Sequence, residues 1–357
     1  MEQCTGWVVG LDLGDKYSYL VVVDEAGDLV DEGRVRTTKE ALRQQFLSMP
    51  SMRVVIEVGT HSRWVSLLLA GMGHEVLVAN ARKVALISQN ERKSDRMDAE
   101  LLARLGRADP ALLSPIEHRG EAAQAALGVL KSRDALVDAR TKLINHARGI
   151  VKAAGHRLPP CSSARFHKLT DDVPSEMGEA LAPVMEMVGA LTAQIAGFDR
   201  KIEQICQESF PETELLRQVK GVGAVTALAF VTTLEDPGRY KTSRSVGPYL
   251  GLVPRRDQSG DVDKQLGITK TGDTFLRRLL VNGSQYILGP FGPDTDLRRW
   301  GLHLAERGGK AAKKRAVVAV ARKLAVLLHR LWRNGEVYDP LYNARRRGEL
   351  NATEEVA

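Results

Sequence analysis

Apolar and polar positions follow two different periods along this chain, and the change between them divides it. WVVGLDLG (7–14) and SYLVVVDEAGDLVDEG (18–33) are β-rich runs, the second turning at Glu25–Gly27. RVVIEVG (53–59) is continuously apolar around one acid and reads as a buried strand. A helix from about Ser62 to Met72 follows it, and HEVLVAN (74–80) returns as another strand. Strands alternating with helices predict an α/β layer with a partly parallel sheet. From Arg82 to Arg107 the period becomes helical.

Residues 120–208 keep that helical period. Leu130, Val137, Ile144 and Val151 recur at steps of seven; Leu181, Val184, Val188, Leu191, Ile195, Phe198, Ile202 and Ile205 alternate steps of three and four. This is the spacing of a coiled-coil seam. The stretch between, GHRLPPCSSARFH, is rich in helix breakers, so a long antiparallel hairpin of coiled-coil helices is expected, as an arm or a dimerisation element. The third part is mainly α-helical with Gly-rich turns and closes on AAKKRAVVAVARKLAVLLHRLW (311–332). The expected division is 1–110, 111–210, 211–335 and a charged, frayed tail at 336–357.

Composition narrows this picture. A chain of 357 residues can bury two or three cores. No run of about 18 apolar residues stands out as a membrane span, and MEQCTGWVVGLDLG has no basic segment ahead of its apolar stretch. Cys4, Cys161 and Cys206 show neither metal spacing nor a pairing pattern, which fits a reducing cytoplasm. The net charge of +7 points to a polyanionic partner. Lys131, Arg140, Lys142, Arg148 and Lys152 recur along the first long helix, where phosphate contact and a solvated face are both open readings. The same choice holds for Lys310, Lys313, Lys314 and Arg315. Gly221 and Gly223, in Lys220-Gly-Val-Gly ahead of an apolar helix, suit either a phosphate-holding helix–hairpin–helix turn or close helix packing.

Carboxylates carry the candidate chemistry. Asp12 lies inside an apolar β run, where an unpaired charge costs several kcal/mol. Glu57 lies in a second such run, and Asp95 and Asp98, three apart, share one side of a helix start. Singly, each has a bland alternative: a helix cap, a first-turn acid, an arginine partner or, for Asp12, the phosphate-facing loop of an actin-like fold. Together, strand-Asp, strand-Glu and helical Asp-Asp follow the order of an RNase H-like nuclease. Their all-oxygen donor set suits Mg²⁺ or Mn²⁺, and two such ions about 4 Å apart stabilise both oxygens of a phosphodiester exchange.

At this point a resemblance becomes specific. GLDLGDK, VVIEVGTHSRWVSLLLAGMGHEVLVAN and ERKSDRMDAELLARL resemble the RuvC-like N-terminal half of the DEDD insertion-sequence transposases. ARTKLINHARGIVKAAG is similar to their basic linker helix, and residues 215–281, with QSG and GITKTGD, to their C-terminal transposase domain. The resemblance covers most of residues 8–332. It implies that Asp12, Glu57, Asp95 and Asp98 form the metal-binding tetrad and that a C-terminal serine is the nucleophile. Ser259 matches best, with Ser243, Ser245 and Ser284 as alternatives in the same region. Arg255, Arg256, Lys270 and Arg277 would neutralise a phosphate brought to it. It implies donor and target DNA, a structured noncoding guide RNA and a homo-oligomer as partners. A junction resolvase that uses water and a non-catalytic nucleic-acid scaffold are the rival readings.

Overall fold

The computed structural model describes residues 6–82, 94–260 and 262–348, without the side chains of Val262 and Gln265. Cys4, the stretch 83–93 with the start of the KSDRMDA motif, and 349–357 lie outside the described residues. The contacts divide the chain into two units, Met1–His118 and Arg119–Ala357.

The first unit is a five-stranded sheet in the order β3-β2-β1-β4-β5. Strands β1 (Val8–Asp12), β2 (Tyr17–Val23) and β3 (Leu29–Arg36) form an antiparallel meander; β4 (Arg53–Glu57) and β5 (Glu75–Ala79) run parallel to β1. Alternate residues of β1 face opposite layers. Val9 and Leu11 join a core under helices α1 (Lys39–Leu47) and α2 (Ser62–Ala70), whereas Val8 joins the core under α3 (Asp95–Ala108). Coverage on both faces explains why β1 and β4 read as continuous apolar runs. Helix α1 had no counterpart in the sequence reading. Thr38 caps it, accepting a hydrogen bond from the Ala41 amide, and only Leu42 and Phe46 of its nine residues are buried.

The close approach of α3 to the sheet has an identifiable cause. A Cβ on Gly10 would lie 1.9 Å from the Ala99 carbonyl oxygen, and one on Gly106 would lie 2.3 Å from Val55 Cγ2. Ala99, Ala103 and Gly106 therefore form a stripe that fits only a bare strand. Arginine contacts fix the helix along its length: Arg53 Nη1 donates to the Gly106 carbonyl at 3.0 Å, Arg104 Nη1 to Gly27 at 3.0 Å, and Arg96 Nε to Glu32 at 2.6 Å. Gly10→Val is expected to cost the first unit at least about 3 kcal/mol, because backbone has to give way. An unchanged unfolding midpoint in urea would contradict this packing.

In the second unit α4 (Glu121–Ala153) and α5 (Ser175–Glu208) pack antiparallel. Arg133 Nε donates to Asp199 at 2.8 Å and Arg140 Nη1 to Thr192 Oγ1 at 3.2 Å, which fixes the register. At one end Ile144, Val151, Leu181 and Val188 close over Phe166 from the connection. At the other, Leu127, Leu130, Ile202 and Cys206 enter the core built by the rest of the unit. The helical pair and the C-terminal region thus share a core and are not separate pieces. Ile195, midway along α5, is 4 % exposed; Ile195→Asp is expected to cost about 3 kcal/mol of chemical stability. A wild-type denaturation curve would remove Ile195 from the interface.

By length and composition α5 is also apolar enough to cross a bilayer, with an 18-residue window of mean hydropathy 1.3. No span was expected there from the sequence. Four further helices follow around this core: α6 (Thr213–Arg217), the largely buried α7 (Ala224–Leu234), α8 (Val246–Tyr249) and α9 (Thr274–Leu288). Between α8 and α9 stands a two-stranded ribbon, β6 (Pro254–Ser259) and β7 (Val262–Ile268). Helices α10 (Asp296–Ala305), α11 (Gly309–Asn334) and α12 (Tyr342–Arg346) complete the unit. The start of the tail is not frayed, as expected, but docked: Asp296 accepts the amides of Asn343 and Ala344, and Ala344 is buried.

Candidate active site

Parallel pairing of β1 with β4 brings the first two acids together. Leu11 pairs with Ile56, so Asp12 and Glu57 follow at the same level on adjacent strands, about 4.8 Å apart along the sheet. By strand alternation both side chains share the α3 face with Val8, Gly10, Arg53 and Val55. Both are half-buried. Ser94 caps α3, its hydroxyl accepting from the Met97 amide, and the helix begins at Asp95. The stripe Ala99, Ala103, Gly106 that lies on β1 extends backwards, at helical spacing, through Asp95, and Asp98 stands beside it, one turn before the buried Leu102. Asp98 is half-buried and Asp95 exposed. Four acids thus come from the carboxyl end of two strands and the first turn of the helix above them.

They do not stand as a finished cage. Among the described residues no three His, Cys, Asp or Glu side chains are close enough together to hold a metal ion. The donor set nevertheless fits a hard divalent cation: all ligands are oxygens, and the supporting backbone is fixed by the Gly10–Ala99 contact. At the rim, His61 Nδ1 accepts from Trp64 Nε1 at 3.1 Å, and its Nε2 lies 3.8 Å from Asp15.

Ser259 has a different setting. The polar segment PRRDQS is strand β6, and every residue of it is exposed. Ser259 pairs with Val262 across the turn, with Gly260 at φ 53°, so the hydroxyl stands at the ribbon tip. The expected ring of cations around it is only partly there. Arg256 is held bidentately by Asp263 at 2.8 and 2.7 Å, which raises its own pKa and lowers that of Asp263. Lys270, at φ 56°, sits at the foot of the ribbon. Arg277 is 8 % exposed and donates to the Leu250 and Thr271 carbonyls and to Thr274 Oγ1. It holds the ribbon's base and drops out of the phosphate contacts. Arg255 and Lys264 are exposed.

The other serines separate clearly. Ser284 is buried, donating to the Leu280 carbonyl, and Ser245 lies 3.2 Å from Thr242 Oγ1. Ser243, half-buried, was named in sequence but its partner was not: its Oγ lies 2.9 Å from Nδ1 of the buried His329. The Pro237 carbonyl, 3.0 Å from Nε2, only accepts, so Nε2 carries the proton and Nδ1 accepts from Ser243. Sequence offered no signal for this pair, whose members are far apart in the chain.

Burial pushes the His329 pKa below its ordinary value of 6.5; the bond to Pro237 opposes the shift and Arg333 adds to it. The unfolded chain therefore binds the proton more readily. Stability contributed by this group is complete above about pH 6.5 and is lost as pH falls through the lower folded value. The melting temperature is expected to fall between about pH 7 and pH 5, with a smaller slope in His329→Gln. Equal slopes would assign the loss to other groups.

Of the cations expected along α4, Lys131, Lys142 and Lys152 are exposed. Arg140 is turned to Thr192, and Arg148 donates to the Leu158 and Pro159 carbonyls and covers Phe166. Lys313 and Lys314 are exposed on α11. Gly221, at φ 94°, packs against α9, where a Cβ would lie 3.0 Å from the Gly283 carbonyl; Gly223 is exposed and precedes α7 without a side-chain cap.

Comparison with known proteins defines the class to which these parts belong. Residues 9–155 match a DEDD transposase family of the IS110 type, described simply as transposase, and residues 213–294 match the transposase IS116/IS110/IS902 family. The matched segments contain the acids and the serine-bearing ribbon respectively, and define an enzyme that cuts and rejoins DNA. A transposase for insertion sequence element IS1111A from Coxiella burnetii is 28 % identical over 93 % of this chain and 91 % of its own. A probable family 20 transposase from Pseudomonas aeruginosa is 27 % identical over 93 % and 98 %. A pilin gene-inverting protein from Moraxella bovis is 23 % identical over 81 % and 82 %. The chain belongs to the DEDD-type insertion-sequence transposases of the IS110/IS116 group.

Proposed function

We propose that this transposase moves an insertion sequence by joining a divalent-metal site at Asp12, Glu57, Asp95 and Asp98 to a serine nucleophile, Ser259. The single observation that carries the reading is the parallel register of β1 and β4, which sets Asp12 and Glu57 side by side under the start of α3. The sheet order and the helices on both faces fit an RNase H-like, RuvC-like layer. When bound, Mg²⁺ or Mn²⁺ would supply charge neutralisation at the oxygens of the scissile phosphodiester. Asp12 and Glu57 would anchor it from the rigid sheet; Asp98 and Asp95 would close on it from the helix, drawing the four acids nearer than they stand without it.

Ser259 would attack phosphorus through Oγ, forming a serine–phosphate ester while the displaced deoxyribose oxygen takes up the proton. Reversal by a new strand's hydroxyl restores the serine, so bond energy is conserved and no nucleotide cofactor is required. Serine needs a base or a metal for this. The metal site of another subunit would meet that need, a reading that suits a homo-oligomer with sites shared between subunits. Lys131, Lys142, Lys152, Lys313, Lys314, Arg255 and Lys270 are the surface cations suited to phosphate, and Gly223 the backbone amide site. The reading places the reaction in a bacterial cytoplasm, on donor and target DNA.

A structured noncoding RNA as guide completes the reading, since base pairing would carry sequence information that no residue here is seen to read. Sequencing RNA that co-purifies with the protein, expressed with its native flanking DNA, tests it. One discrete RNA encoded beside the gene is expected, and an absence of enrichment would return the chain to protein-only recombination. A second reading makes Ser243 the nucleophile, on the observation that it alone among the described serines of this region bonds a histidine.

A further inference from the structure

One concavity of the second unit is distant in sequence from both the acids and Ser259. It is a groove of about 740 Å³ between α10, the second half of α11 and the segment 336–347. Leu297, Val326, Leu327 and Leu331 form its floor, and Trp300 and Tyr338 stand in its walls. The Lys323 ammonium lies 4.0 Å over the Trp300 ring, and Arg299, Arg330 and Arg347 reach the same rim.

The acids of the lining are already committed to building it. Asp296 accepts the first amides of α12, Asp339 pairs with Arg345, and Glu336 pairs with Arg330 and accepts from Asn334. The Lys323 ammonium lies over the Trp300 indole, and loss of water lowers its pKa, an effect that the nearby Asp296 opposes and Arg347 adds to. Such a groove offers aromatic and apolar surface to a planar ring and a rim cation to an anion about one side chain away. Its volume suits one or two nucleotides and excludes a duplex, whose bases are turned inward.

We propose that this groove binds an unpaired nucleotide segment of single-stranded nucleic acid. A base would lie against Trp300 and the exposed Tyr342, and its phosphate would be held by Lys323. This rests on the transposase reading only in that strand exchange and a guide RNA both present single strands. The shared chemistry is the base and its phosphate; DNA and RNA are the two sources.

The test uses the full chain, with fluorescent oligo-dT and oligo-rU as separate probes and a duplex as the reference. Trp300→Ala and Lys323→Glu are each expected to weaken single-strand binding about tenfold with duplex affinity unchanged, as loss of one stacked base or one phosphate contact does. Loss with oligo-dT alone identifies a displaced DNA strand; loss with oligo-rU alone identifies RNA. Trp300 also packs in the fold, so Lys323→Glu and Tyr342→Ala, at exposed positions, decide the matter if Trp300→Ala misfolds. Wild-type single-strand affinity in both overturns the proposal, as does a change of oligomer mass without a change of affinity, which would make the groove a protein interface. None of these variants touches Asp12, Glu57, Asp98 or Ser259, so strand cleavage by the same preparations reports separately on the proposed chemistry.

Discussion

Asp98→Asn is expected to reduce divalent-metal-dependent strand cleavage about a thousandfold, with the melting temperature within a degree or two of wild type. The substitution keeps the shape of the side chain and removes one unit of negative charge from the metal's ligand set. A ligand whose charge stabilises the transition state contributes several kcal/mol, and each 1.36 kcal/mol is about tenfold in rate. Stability should be spared because Asp98 is half-buried at the first turn of α3, while the packing of that helix rests on Ala99, Leu102, Ala103 and Gly106. Its favourable position near a helix N-terminus is worth only about 0.3–1 kcal/mol. Cleavage of DNA carrying the element's ends, followed with Mg²⁺ and with Mn²⁺, is the measurement. Retained cleavage would remove Asp98 from the site. A fall in melting temperature large enough to account for the lost activity would make it a structural acid.

The second large effect is expected at Ser259. Ser259→Ala should eliminate any covalent protein–DNA species trapped by denaturing a reaction on a cleavable substrate, and Ser243→Ala should leave it. Removing a hydroxyl from an exposed ribbon tip takes away no packing, so both the fold and DNA affinity are expected to stay at the wild-type level. If the adduct persists in Ser259→Ala and disappears in Ser243→Ala, the nucleophile is the serine bonded to His329. Peptide mapping of the adduct resolves the two even if both variants lose activity. Cleavage with no adduct in the wild type would favour attack by water at the metal site, the chemistry of a resolvase.

The strands and the helix start that carry the candidate acids were legible in the sequence for a local reason. Asp12 and Glu57 each stand in a short apolar run rich in β-branched residues and bounded by turn residues, the local signature of a buried strand. Asp95 and Asp98 stand three apart behind Ser94, and such a cap with its first-turn acids is set by neighbours within one helical turn. The antiparallel pairing of α4 and α5 follows from a repeat that a helix displays on one side.

What was not legible depends on partners remote in the chain. Strand β6 is PRRDQS, exposed throughout, so no burial pattern marks it; it is a strand because β7 supplies its hydrogen bonds. Helix α1 buries only two of its nine residues, too few to show the helical period. Arg277 looked like a phosphate contact beside other cations until the fold enclosed it around the carbonyls at the ribbon's foot. The Ser243–His329 pair needs α11 packed against the segment before α8.

The sequence by itself determined which acids enter strands and which open a helix, because period, capping and burial are properties of adjacent residues. Only the tertiary structure decided that β4 lies beside β1 in the register that levels Asp12 with Glu57, and that Gly10 admits α3 into close contact with β1. Strand order and close helix–sheet approach are set by backbone hydrogen bonds and by the absence of a side chain, and neither leaves a periodic trace in the residues that take part.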